Sequence, residues 1–164
     1  MLATVADGDV IIEHPNRDKP ASQATRALVV PLLLISAAVL AIATVGGWEK
    51  IQGAKPLHVA YILIYLLLAF FIVRWRSGLL PVAASFAIIL LIFCAISGAQ
   101  WFDRDDAGFD DPLLSATVLG VLTLVLVPLQ LVLIAAAARG FSQKWSVEVE
   151  RRTGAPQPYV AQTR

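Results

Sequence analysis

Few residues in this chain are placed to do chemistry, and most of them sit inside apolar surroundings. His58, Tyr61 and Tyr65 are spaced three and four apart, so a helix puts them on one face. An imidazole above two phenols is a set that a quinone edge or a haem can use. Paired-histidine haem ligation fails for want of a partner, because the other histidine, His14, lies in the polar leader. An aromatic belt with packing accounts for the pattern, and a quinone-edge role is the sharper alternative. A second set is Ser36, Ser85, Thr123 and Gln130. Ser36, Ser85 and Gln130 fall at similar depth, and an unpaired amide in hydrocarbon is costly, so these three are expected to meet directly or through water. Packing glue is one reading of them; a polar path lined by Gln130, Thr123 and Ser85 is the other.

Other chemistry is sparse. The stretch 101–112, WFDRDDAGFDDP, holds five of the twelve acidic residues, and Asp103, Asp105 and Asp106 resemble the start of a calcium loop. Counted from Asp103, the fifth and twelfth ligand positions hold Ala107 and Leu114, which supply no side-chain oxygen, although Gly108 suits the sixth. A solvated loop explains the acids better. Cys94 is alone, which rules out an internal disulfide and a cysteine metal cluster, and it reads as a small hydrophobe. No serine has a histidine at matching depth except Ser97 or Ser115 near His58, too little for hydrolysis. The sequence thus calls for no catalytic residue, metal or cofactor.

The elements that must position these residues are plain. All 25 charged side chains fall outside four apolar runs, 27–48, 57–73, 79–99 and 113–138. A bilayer core about 30 Å thick needs about 20 helical residues. The expected fold class is therefore an all-α membrane protein, a four-helix bundle between a polar segment at 1–26 and a tail at 140–164. Pro31, Pro56, Pro81 and Pro112 stand near the start of each span, where a missing N–H costs least. Asp110 and Asp111 are placed to cap the fourth helix. Trp48, Trp75, Trp101 and Trp145 mark the other ends, at the headgroup level that indole prefers. Pro128 removes a hydrogen bond to Leu124 and predicts a kink. Small residues recur at helical spacing, as Ala116, Gly120 and Thr123, as Ala84, Ala87, Cys94 and Gly98, and as Ala37, Ala41 and Thr44, which lets helices approach closely.

Ten of the thirteen basic residues fall on the side of the termini, so the positive-inside rule places both termini in the cytoplasm and the acidic loop outside. The 26-residue leader contains Asp7, Asp9, Glu13 and Asp18, which argues against a signal peptide; no organelle-targeting pattern is visible, which points to a prokaryotic plasma membrane. Residues 1–26 read as a disordered terminus. In the tail, Trp145, Val147 and Val149 alternate with polar residues over 145–150, as a strand would. It could pair with Val10–Ile12 or offer an edge to a partner, but an isolated strand pair is marginal, so a frayed interfacial tail is expected.

Gly47-Trp48-Glu49-Lys50-Ile51, leaving the first span, resembles the corresponding turn in DoxX-like four-span proteins over those five residues. That family often carries an acidic residue in the second span; this chain has none there, and no function is carried across. The spans also lack the ionisable residues and inverted repeats of an autonomous transporter. The expected role is a non-enzymatic accessory or assembly subunit of a membrane complex, meeting the lipid bilayer and a protein partner or a second copy through its helices, with no nucleic acid. The alternatives are a small oligomeric channel or carrier, and a quinone-binding partner of a membrane oxidoreductase using Tyr61 and Tyr65.

Overall fold

Proline stands in the first turn of three of the four helices in the computed structural model, which describes residues 10–102 and 113–152. A short strand β1 (Val10–Glu13) leads to α1 (Pro20–Gly46). Lys19 is extended, as a residue before proline prefers, and Pro20 supplies the first turn. α1 ends at the Gly46-Gly47 pair. A single 3₁₀ turn precedes α2 (Lys55–Val73), and another precedes α3 (Leu80–Phe102). α4 (Ala116–Ser142) and the strand β2 (Val149–Arg152) complete the described chain. All four helices are long and apolar enough to cross a membrane.

The helices form a bundle in which α1 packs on α2 and α4, and α4 packs most extensively on α3, whereas α2 and α3 touch only lightly. Neighbours run antiparallel: Thr44 meets His58 near one end of the α1–α2 pair, and Arg26 meets Val73 near the other. Close approach of α3 and α4 depends on Gly98, where a Cβ would come within 2.6 Å of the Leu124 side chain. The buried faces repeat at helical spacing: Leu33, Ala37 and Leu40 on α1, Tyr61, Tyr65 and Leu68 on α2, Ala83, Ala87 and Leu90 on α3, and Leu126, Leu133 and Ala137 on α4. Outward faces are equally apolar, with Leu63, Leu67, Ile88 and Leu131 exposed, as suits lipid contact.

Several boundaries differ from the sequence expectation. α1 starts at Pro20, so residues 20–26 are helix rather than part of a polar leader, and Pro31 lies inside the helix instead of opening it. Ser22 and Thr25 are buried in this extension, and Gln143 at the end of α4 donates to the Thr25 hydroxyl and the Ala21 carbonyl. α4 starts at Ala116, and its cap is Ser115, whose hydroxyl accepts from the Val118 N–H at 3.4 Å. The capping role expected of Asp110 and Asp111 thus falls to Ser115; those aspartates, like Pro112, lie outside the described residues. α4 runs unbroken through Pro128.

The frayed-tail expectation also fails. β1 and β2 pair antiparallel, with Val10 opposite Arg152 and Glu13 opposite Val149, so the strand lies at 149–152 rather than 145–150. The pair is stable because it is not isolated. Asn16 and Arg17 donate to the carbonyls of Lys144 and Trp145, at 3.0 and 3.3 Å, and tie its base to the bundle. Residues 10–19 are accordingly structured, not a loose terminus.

Candidate functional site

Two polar constellations lie within the bundle, one closed and one beside a cavity. The closed one joins three helices. Tyr65 on α2 donates its phenolic O–H to Gln130 Oε1 on α4 at 2.8 Å, and Gln130 Nε2 donates to Ser36 Oγ on α1 at 3.1 Å. All three side chains are fully buried. The expected meeting of Ser36 and Gln130 occurs, but its third member is Tyr65, not Ser85. The inward face of α3 is the Ala83–Ala87–Leu90 stripe, which turns Ser85 outward, and its hydroxyl bonds back to the Pro81 carbonyl at 3.0 Å. Thr123 similarly bonds back to Leu119 at 2.8 Å. Pro128 is exposed on α4, two residues before the triad's glutamine. Gln130, Thr123 and Ser85 therefore do not line one path. The triad fits a packing role, since a satisfied interhelical hydrogen bond fixes rotation and depth.

The second constellation lies toward the opposite end of the bundle from β1 and β2. Thr44 on α1 donates to the Leu40 carbonyl at 2.6 Å, and the same oxygen stands 3.2 Å from His58 Nδ1 on α2. His58 and Tyr61 face a cavity of about 480 Å³, within the size of ligand pockets generally. Leu40 and Ala43 wall it on α1, Leu90, Cys94 and Trp101 on α3, and Thr123 and Leu126 on α4. Its mouth is the α2–α3 seam, because Leu57, Phe93 and Ile96 both line it and stay 45, 47 and 58% exposed. Lys50 and Gln100 complete its polar rim. Behind this lining, Tyr61 meets Phe86 edge-on at 5.8 Å and Tyr65 at 6.1 Å.

His58, Tyr61 and Tyr65 thus share the expected face, but it turns inward. Tyr61 and Tyr65 are buried, not members of an interfacial belt, and only His58 and Tyr61 reach the cavity. Tyr65 does not line the cavity, and its hydroxyl is committed to Gln130. Thr44 reads in sequence as a helix-packing residue, and nothing there signals its place behind His58. The cavity lies between helices that touch only lightly, which no local pattern encodes.

A third polar set seals the end of the bundle that carries β1 and β2. Trp145 is fully buried and packs edge-on against Trp75 at 5.3 Å, with the Arg26 guanidinium 4.1 Å from the Trp75 ring centre. Trp145 Nε1 donates to Gln143 Oε1 at 2.9 Å, and Gln143 Nε2 donates to Thr25 Oγ1 at 2.9 Å. Two left-handed residues make the turns that bring the indoles together, Trp75 at φ 62° and Lys144 at φ 50°. Trp145 and Trp101 are buried in the bundle, whereas Trp48 is exposed.

Among the described residues no group of three or more His, Cys, Asp or Glu could hold a metal ion. The candidate calcium ligands Asp103, Asp105 and Asp106 lie outside them. Comparison with protein-family models, with curated proteins and with solved structures gives no match, so the five-residue likeness to DoxX-like proteins gains no support.

Proposed function

We propose that this protein is a non-catalytic, multi-pass membrane subunit that holds a lipid-soluble small molecule in the cavity between α2 and α3. In this reading the membrane is a prokaryotic plasma membrane and the β1–β2 end faces the cytoplasm, in keeping with the excess of Lys and Arg there. The observation that carries the proposal is the cavity's construction. Its walls are aliphatic and aromatic, its mouth opens at the outward apolar surface between two helices, and His58 and Tyr61 bring polar groups to it from α2. Such a site suits an amphiphile that enters from the bilayer with its tail in the seam and a ring or small polar head beside the imidazole. A quinone-type molecule is one member of that class. The triad of Tyr65, Gln130 and Ser36 then acts as scaffold, holding α1, α2 and α4 in register beneath the site.

Extraction of the purified protein tests this directly. Wild-type protein taken from native membranes in mild detergent should yield one lipophile in near-stoichiometric amount by mass spectrometry. Cys94→Trp, which fills the cavity, should retain its helical circular dichroism and lose that compound. Equal amounts of the same bulk lipids from both proteins would overturn the proposal.

A further inference from the structure

The proton positions around Thr44 decide what kind of head group the cavity takes; the inference rests on the ligand-holding reading above. Thr44 Oγ1 and the Leu40 carbonyl oxygen are 2.6 Å apart, a separation that two oxygens tolerate only with a proton between them. The carbonyl has none, so the single hydroxyl proton of Thr44 is spent on Leu40. Thr44 can meet His58 Nδ1, 3.2 Å away, only as an acceptor. Nδ1 must therefore carry the proton. In a neutral imidazole that leaves Nε2, on the opposite flank of the ring, as a bare acceptor. No described residue donates a hydrogen bond to Nε2, and His58 lines the cavity.

We infer that the cavity selects a hydroxyl-bearing amphiphile, such as an alkylphenol or a reduced quinol, over a matching molecule whose head offers only a carbonyl or ether oxygen. An O–H can donate to Nε2, whereas an acceptor-only head sets lone pair against lone pair. The other polar groups on the wall do not reverse this choice. Tyr61 offers a hydroxyl that donates or accepts, the Gln100 amide does both, and Lys50 donates equally well to hydroxyl, ether or carbonyl oxygen. Ser97 has already given its proton to the Phe93 carbonyl at 2.7 Å. Thr44 does not line the cavity and is a positioning residue: it acts by fixing the imidazole tautomer.

The test uses a redox-inert pair, 4-dodecylphenol and 4-dodecylanisole, which differ by one O–H. Affinities are measured on the detergent-solubilised full chain by quenching of tryptophan fluorescence, at pH 8, well above the ordinary titration of imidazole. Wild-type protein should bind the phenol about fivefold more tightly, the range of one net hydrogen bond. Thr44→Ser should keep that ratio; Thr44→Val and His58→Phe should bring it near one while still binding both compounds. If wild-type protein binds both equally, the tautomer inference is overturned and the cavity reading stands. If it binds neither, the cavity reading falls with it. Should Thr44→Val fail to fold, the Thr44→Ser and His58→Phe ratios carry the same decision.

Discussion

The two ends of the bundle solve the same packing problem differently. Near β1 and β2, Trp145 is fully buried against Trp75 and beside Gly140, and Arg26, Gln143 and Thr25 tie the rim together. Toward the opposite end, a smaller cluster of Ala43, Ile51, Trp101 and Leu119 lies beside a hollow between α2 and α3. Trp145 closes one end, whereas Ala43 and Cys94 leave small side chains on the wall of the other, beside Trp101. A void of this size weakens a bundle, because its lining loses contact atoms on one side. Its retention next to a tautomer-locked histidine is what suggests a binding site over a packing defect.

Substitutions can break or sharpen that contrast. The largest effect is expected for Trp145→Ala, which removes a fully buried indole and the donor to Gln143. It should lower stability by about 3–5 kcal/mol in detergent unfolding followed by circular dichroism. A matched pair comes next. Ala87→Leu, in the filled half, should cost about 1–3 kcal/mol through overpacking. Ala43→Leu puts the same added carbons into the cavity, and it should leave stability unchanged or raise it by about 1 kcal/mol. Equal losses from both alanines would mean that the hollow half is as tightly packed as the other.

How much of this was legible in sequence follows from the range of each interaction. The four helices were, because their apolar runs are local and long. Ser36 and Gln130 were paired correctly from depth alone, since a buried amide has few ways to be satisfied. Depth says nothing about rotation, however, so Ser85 was placed inside when the turn of α3 sets it outside. The burial of Trp145 is illegible for a similar reason. Its position follows from a left-handed Lys144 and from Gln143 bonding to Thr25, contacts that join residues more than a hundred positions apart. β1 and β2 are weak alone and depend on that same anchoring. The cavity is the least legible feature, because it depends on how closely two helices pack whose inward faces look alike in sequence.

Photolabelling tests the central claim most directly. A diazirine-bearing alkylphenol, irradiated with the protein in lipid nanodiscs and mapped by peptide mass spectrometry, should mark the buried cavity residues Tyr61, Cys94 and Trp101, and excess 4-dodecylphenol should suppress the labelling. Label confined to outward residues such as Leu63, Leu67 and Ile88, and unaffected by competitor, would show that the molecule only dissolves in the lipid around the bundle.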